Sequence, residues 1–194
     1  MIDLKPFCAS ADDMRTYLHA PWRTVDGIVA TNGHIIICVP DEGGDYPGEP
    51  KTIKNVVASF TKKYPAGEFL DLKSITLPPK IICETCKGTG HYRIIDCEDC
   101  DGDGEFYHGN HYYHCKECDG EGSVRAAVGR PEQCDDCGGM GEKSTIIDVG
   151  SSSYQRKYLA QLQALPNCRI SPIKNSGSRF EFDGGFGWLM PCNK

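Results

Sequence analysis

The central third of the chain repeats one short cysteine motif four times. Each copy reads Cys-x-x-Cys-x-Gly-x-Gly, and the four copies occupy residues 83–90, 97–104, 115–122 and 134–141. Two residues between cysteines allow both thiolates to reach one metal ion, and two such pairs complete a tetrahedral Cys₄ zinc site. The glycines supply the positive-φ conformations that a tight turn after the second cysteine needs. The motifs therefore predict two structural zinc ions bound by eight cysteines.

The other cysteines and the N-terminal segment bear on the compartment. Four of the 12 cysteines, Cys8, Cys38, Cys168 and Cys192, lie outside the motifs in apolar stretches, and we expect buried free thiols there. The first residues lack a basic region followed by an apolar run, and no stretch approaches the roughly 20 apolar residues of a membrane span. We expect a cytoplasmic protein, where repeated CxxC motifs favour metal over disulfides. A disulfide framework is the alternative for an exported precursor.

Charge is distributed unevenly along the chain. Residues 81–143 carry 6 basic and 14 acidic side chains, whereas residues 144–194 carry 6 basic and 3 acidic ones. Each Zn(Cys⁻)₄ centre would add two further negative charges, which brings the cysteine segment to about −12. Proteins that bind the nucleic-acid backbone need clustered Lys and Arg. Direct DNA contact through this segment is therefore not expected, and protein contact is favoured.

The flanking segments show mixed helical and strand patterns. The apolar spacing predicts helices over 9–19, 53–64 and 151–165, and the β-branched runs predict strands at 27–31 and 34–39 around an Asn32-Gly33 turn. Short strands are also predicted at 168–170, 179–182 and 187–190. Neither flank alone has enough elements to close a core. We therefore predict one α+β domain formed by residues 1–80 and 144–194, with residues 81–143 inserted at a loop.

The cysteine block resembles the cysteine-rich region of the DnaJ-type chaperones, which carries the same CxxCxGxG repeat. In that family the first repeat pairs with the fourth, and the second pairs with the third. The resemblance implies one zinc held by Cys83, Cys86, Cys134 and Cys137 and another held by Cys97, Cys100, Cys115 and Cys118. The His-Pro-Asp signature of a J-domain and a Gly/Phe-rich linker are absent from this sequence. The resemblance therefore does not imply stimulation of a partner chaperone.

Three stretches of the flanking halves form a second recognisable pattern: 29–40, the helix ending at 158–166, and the Met190-Pro191 end. Together they resemble the sliding clamp of bacterial DNA polymerase III, its β subunit, although the clamp motif's Asp and Arg are Asn32 and Ile35 here. In clamps these segments line a groove that takes short peptides, which implies partner-binding roles for Thr31, Gly33, His34, Met190 and Pro191. The alternative is that 31–34 is only a hairpin turn and Met190 a core residue. One clamp-sized domain cannot encircle DNA, so a ring would need six-fold assembly or association with another clamp.

Other constellations of reactive side chains do not predict an enzyme. Eight cysteines fill two closed sites, whereas catalytic zinc keeps an open position. His108, His111 and His114 cluster between Tyr107, Tyr112 and Tyr113. This cluster predicts a third metal site, a proton relay or, more simply, a polar aromatic hairpin. The three tyrosines are candidate partner contacts, because Tyr is enriched at interface hot spots. No phosphate-binding loop, nucleophile elbow or zinc-protease motif is present.

These observations predict a non-enzymatic zinc-binding adaptor that acts through protein–protein contacts in DNA replication, recombination or repair. Small size and mosaic composition suggest a bacteriophage origin as a hypothesis. One alternative is a holdase-like chaperone that binds unfolded polypeptides through the zinc segment. Another is an inhibitor that occupies a host DNA-binding factor by imitating the negative charge of DNA.

Overall fold

The computed structural model describes residues 2–11 and 13–192. The chain separates into two compact units. The first, here called the body, comprises Met1–Pro78 and Thr145–Lys194, and the second, here called the insert, comprises Pro79–Ser144. The described residues combine α and β structure but are mostly antiparallel sheet with few helices, which fits the predicted α+β class loosely.

The body contains nine of the described strands and both α-helices. Its strands are β1 (Trp22–Thr24), β2 (Gly27–Thr31), β3 (Ile35–Val39), β4 (Leu70–Asp71), β10 (Ile146–Val149), β11 (Ser152–Gln155), β12 (Arg169–Ser171), β13 (Ser178–Phe182) and β14 (Gly185–Leu189). Its helices are α1 (Val56–Lys63) and α2 (Arg156–Gln163), with 3₁₀ turns at Lys5–Phe7, Thr16–Leu18, Lys51–Ile53 and Leu72–Ser74. Within the described chain, neither helix has the length and hydropathy required to cross a bilayer.

A seven-stranded sheet joins the two halves of the body. Its order is β1-β2-β3-β14-β13-β12-β4, and every neighbouring pair is antiparallel. The junction lies between β3 and β14, where Ile36 pairs with Trp188 and Ile35 pairs with Leu189. Because the last strand hydrogen-bonds to a strand from the first 40 residues, one sheet and one core require both flanks of the insert.

Both faces of this sheet are covered, so consecutive strand residues are apolar. Ile35 and Ile37 face the cluster that contains α2, whereas Ile36 and Cys38 face the cluster that contains Val57 of α1. The α2 side chains in the first cluster are Tyr158, Leu159 and Leu162, all buried. Burial on both faces explains why β2 and β3 read as continuous apolar runs without polar alternation.

Two of the predicted helices are wrong in extent. Residues 152–155 form strand β11, paired with β10 across a turn at Gly150 (φ +56°), and α2 begins only at Arg156. Ser152 and Tyr154 are buried with a period of two, which favours a strand. The predicted 9–19 helix is reduced to the 3₁₀ turn Thr16–Leu18. Asp12 lies outside the described residues, and the Asp13 carboxylate binds Arg15 at 2.7 Å.

The insert has almost no aliphatic interior. Its strands are β5 (His91–Asp96), β6 (Glu105–His108), β7 (His111–His114), β8 (Ser123–Ala126) and β9 (Arg130–Gln133). They form a three-stranded sheet in the order β8-β5-β9 and a separate two-stranded ribbon β6-β7. In the described part of the insert, the buried apolar side chains are Ile94 and the eight motif cysteines. The cysteine clusters therefore take the place of a hydrophobic core.

Candidate metal centres and peptide groove

The eight motif cysteines form two separate groups of four. The structure brings together Cys83, Cys86, Cys134 and Cys137 in one group (site 1) and Cys97, Cys100, Cys115 and Cys118 in the other (site 2). The first repeat thus meets the fourth, and the second meets the third. All eight side chains are buried as free thiols.

The sulfur spacing fits tetrahedral zinc in both sites. In site 1, Cys83 Sγ lies 3.8 Å from Cys134 Sγ, and Cys86 Sγ lies 3.7 Å from Cys137 Sγ. In site 2, the Cys97–Cys115 and Cys100–Cys118 sulfur pairs are both 3.8 Å apart. A tetrahedron with Zn–S bonds of about 2.3 Å has edges of about 3.8 Å. The four sulfurs of each group lie within 4.8 Å of one another, so two zinc ions fit the protein.

Backbone amides point at one sulfur in each repeat. The N–H of the second glycine donates to the Sγ of the second cysteine at 3.2 Å in all four repeats: Gly90 to Cys86, Gly104 to Cys100, Gly122 to Cys118 and Gly141 to Cys137. Burial raises the pKa of the Cys86 thiol, but amide donation from Gly90 and Gly88, together with the neighbouring thiols, lowers it overall to about 6. The amides therefore favour the thiolate, the form that binds metal, at the second cysteines Cys86 and Cys118. Burial instead raises the pKa of the first cysteines Cys97 and Cys134 to about 12.

The two repeats of each site are held together reciprocally by their backbones. In site 1, the N–H of Cys83 donates to the carbonyl of Gly141 at 3.0 Å, and the N–H of Cys134 donates to the carbonyl of Gly90 at 2.9 Å. In site 2, the equivalent bonds run from Cys97 to Gly122 at 2.9 Å and from Cys115 to Gly104 at 2.8 Å. Each first cysteine is therefore anchored by the last glycine of the partner repeat.

The second glycine of each repeat has a steric role beyond its positive φ. A Cβ atom at Gly141 would lie 2.3 Å from the carbonyl oxygen of Gly88, and one at Gly90 would lie 2.3 Å from that of Gly139. The same reciprocal 2.3 Å approach occurs between Gly104 and Gly120 and between Gly122 and Gly102. Two backbones meet here at a distance that admits no side chain, which explains the Gly-x-Gly spacing.

One further position in each repeat has a special backbone conformation that the motif does not predict. The residue directly after the second cysteine adopts the left-handed conformation in all four repeats: Lys87 (φ +53°), Asp101 (φ +52°), Asp119 (φ +52°) and Gly138 (φ +55°). A Cβ at Gly138 would meet no atom within 4 Å. This position needs positive φ but leaves room for a side chain, so non-glycine residues occupy it in three repeats.

The coordination sets indicate a structural role for the metal. Each site has four sulfur ligands, which fills a tetrahedral shell and leaves no position for water or substrate. Among the described residues, the histidines of the 108–114 segment join no group able to hold a metal. The nearest carboxylate pairing there is Glu105 with His114 at 3.9 Å. The segment forms the predicted aromatic hairpin, in which β6 pairs with β7.

Four of the five predicted groove residues line one pocket of the body. Thr31, Gly33, His34 and Met190 surround a cavity of about 160 Å³, whereas Pro191 does not line it. The rest of the wall comes from Arg15, Tyr17, Leu18, Ile35, Ile36, Ile53, Val56, Phe60 and Trp188. No sequence motif identifies these residues as part of the groove, although Val56 and Phe60 lie in the helix predicted over 53–64.

The groove residues also make hydrogen bonds that stabilise the fold. Thr31 Oγ1 donates to the carbonyl of Ile35 at 2.6 Å and accepts the N–H of Gly33 at 3.1 Å, so it stabilises the β2–β3 turn. The N–H of Met190 donates to the carbonyl of His34 at 2.8 Å. Burial against neighbouring groups, aided by the positive charges of Lys157 and Arg15, lowers the pKa of His34. Residues 31–34 therefore form the predicted turn and Met190 is only partly buried, whereas the peptide-binding role of these residues stays a prediction.

The three predicted contact tyrosines lie together on the β6–β7 ribbon. Tyr107, Tyr112 and Tyr113 are 77%, 61% and 56% exposed.

Comparison of the chain with protein-family models, with curated proteins and with solved structures gave no match.

Proposed function

We propose that this protein is a non-enzymatic zinc-binding adaptor whose body resembles one sliding-clamp domain and whose insert is a DnaJ-type two-zinc module. It acts through protein contacts in DNA replication, recombination or repair, in the cytoplasm. The observation that carries the proposal is the pocket that joins the β2–β3 turn to the end of β14. Met190 is more than 150 positions from Thr31, Gly33 and His34 in the sequence, but all four residues line one apolar cavity.

The pocket suits a short apolar segment of a partner. Its floor contains Ile36 and Trp188, which are buried, and its rim contains Phe60 and Met190, which are partly buried. A volume of about 160 Å³ accepts one or two apolar side chains and not a whole small-molecule ligand. The side chains of Arg15 and His34 at the rim can donate hydrogen bonds to the carbonyl groups of a bound peptide.

A charge placed in this pocket is expected to abolish partner capture. We expect Met190→Asp to reduce capture of replication proteins from a bacterial lysate by about tenfold or more, because burying an unpaired carboxylate in an apolar cavity is costly. Val25→Asp is the matched control, since Val25 is 96% exposed in the same unit. Mass spectrometry of the captured proteins provides the measurement, with circular dichroism to verify folding. Recovery of only ribosomal or heat-shock proteins by the unaltered chain would contradict the proposal.

The exposed aromatic ribbon favours a second candidate, holdase-like binding of unfolded polypeptides. Contiguous exposed apolar side chains are unusual on monomeric proteins and mark interaction sites. Suppression of aggregation of a heat-denatured client by the full zinc-loaded chain, lost in a Tyr107→Ser/Tyr112→Ser variant, would support this candidate over the adaptor.

A further inference from the structure

The β6–β7 ribbon presents aromatic rings on both of its faces. Tyr107 pairs directly with Tyr112, and Phe106 pairs directly with Tyr113, so each pair shares one face of the ribbon. Phe106 is also exposed. A two-stranded ribbon cannot bury both faces by itself, and these four rings remain available to a ligand.

The outer edges of the ribbon are also open. In the described chain, β6 and β7 pair only with each other, so the outward N–H and C=O groups of both strands have no neighbouring strand. Proteins ordinarily protect such edges, because an exposed edge accepts an added strand. An extended peptide can therefore add to the ribbon through its main chain while its side chains alternate between the two aromatic faces.

Charge specifies what kind of peptide fits. Residues 97–122, which contain the ribbon and site 2, carry eight acidic side chains and one basic side chain, Lys116. All of these acids except Glu105 are exposed: Glu98, Asp99, Asp101, Asp103, Glu117, Asp119 and Glu121. The zinc-loaded site 2 would add two negative charges. The negative electrostatic potential around the ribbon therefore attracts cationic groups and repels phosphate and acidic peptides.

Tyrosine rings and carboxylates are together suited to guanidinium and ammonium groups. A cation over a tyrosine face is attracted by the ring quadrupole, and exposed carboxylates add Coulomb attraction. The insert already contains this pairing, because the guanidinium of Arg125 lies 4.2 Å from the ring centre of Tyr92. The ribbon offers the same rings without an internal cation over Tyr107, Tyr112 or Tyr113 among the described residues.

We propose that the β6–β7 ribbon binds an extended, arginine- or lysine-rich segment of a partner protein as an added strand. Its cationic side chains lie over Tyr107 and Tyr112 and face the surrounding carboxylates. This inference rests on the proposed adaptor function, since it names the chemistry of the partner that the insert recognises.

Binding of defined peptides to the full-length zinc-loaded protein tests the inference. The probes are four fluorescent 12-residue peptides in which Val alternates with Arg, Lys, Ser or Glu. We expect the Arg and Lys peptides to bind at least tenfold more tightly than the Ser peptide, with weakening at high salt, and the Glu peptide not to bind. Equal binding of the Ser and Arg peptides would overturn the inference and favour binding of unfolded apolar chains.

Variants locate the binding surface. The double variant Tyr107→Ser/Tyr112→Ser is expected to bind the Arg peptide about tenfold or more weakly than the unaltered protein. The double variant Tyr107→Phe/Tyr112→Phe keeps the ring faces and is expected to keep most of the affinity. Val128→Ser is the matched control, because Val128 is 72% exposed in the same insert but outside the ribbon. All variants must retain two equivalents of zinc. Unchanged affinity in the double serine variant would overturn the proposal.

The groove variant separates this inference from the adaptor function. Met190→Asp leaves the ribbon intact, so its affinity for the Arg peptide is expected to equal that of the unaltered protein. If Arg peptides fail to bind while lysate capture still depends on Met190, the ribbon inference fails and the adaptor function stands. If peptides bind the ribbon but no replication protein is captured, the proposed adaptor function fails.

Discussion

Replacing Cys97 and Cys115 together by serine is expected to leave one zinc ion per chain, whereas replacing Cys83 and Cys97 together is expected to leave none. The first pair belongs to one site, and the second pair takes one ligand from each site. Serine cannot replace a thiolate ligand, and a structural zinc contributes an apparent binding energy of about 10–16 kcal/mol. Elemental analysis of the purified variants provides the counts.

The two double variants distinguish the possible pairings of the four repeats. If the first repeat paired with the second, the Cys83/Cys97 variant would keep one zinc and the Cys97/Cys115 variant would keep none. If the first paired with the third, both variants would lose both ions. Cys192→Ser is the control, since Cys192 belongs to neither group of four, and it should retain two ions. Any other pattern of counts contradicts the geometry of the two sites.

The second large effect is expected at the last glycine of a repeat. Gly141→Ala would place a Cβ 2.3 Å from the carbonyl oxygen of Gly88, and backbone cannot move aside as a flexible side chain can. The left-handed φ of +71° adds further strain. We expect a total cost of roughly 3–5 kcal/mol. The measurement is zinc retention at site 1 in competition with a chromogenic chelator, where we expect a loss of about a hundredfold or more.

Gly138→Ala is the matched control for this substitution. Gly138 has a similar positive φ of +55° and lies three residues earlier in the same repeat, but a Cβ there meets nothing within 4 Å. Only the conformational strain remains, about 1 kcal/mol, so zinc retention should fall by no more than about tenfold. Equal effects of the two substitutions would show that positive φ, and not close backbone approach, explains the glycine pattern.

The body illustrates why strands were easier to predict than helices. The apolar run at 27–31 and the turn at Asn32-Gly33 identify β2 and β3 from the sequence, because short runs of β-branched residues bounded by a turn have few alternatives. The sequence predicts too long a helix at 151–165, because Tyr154 fits a helical spacing as well as a strand spacing. Tyr154 is in a strand because it pairs with Ile147 across β10–β11 and its side chain is buried.

The candidate sites differ in how much of them the sequence predicts. The zinc ligands lie in a local motif, so residue type and spacing suggest the metal directly. The groove depends on long-range pairing: Trp188 reaches it only because β14 joins β3, and Phe60 only because α1 packs on the same face. Likewise, the close approach of Gly90 to Gly139 joins residues 49 positions apart in two different repeats and cannot be deduced from one repeat.

Metal takes the place of a hydrophobic core in the insert, and one experiment tests this directly. The protein is analysed for zinc, and amide hydrogen exchange is then followed before and after thorough chelation. We expect two equivalents of zinc per chain. On chelation, amides of 79–144 should lose protection, while those of the seven-stranded sheet keep it, because that sheet has its own hydrophobic clusters. Clearly fewer than two equivalents, or an insert that stays protected without metal, would contradict the account.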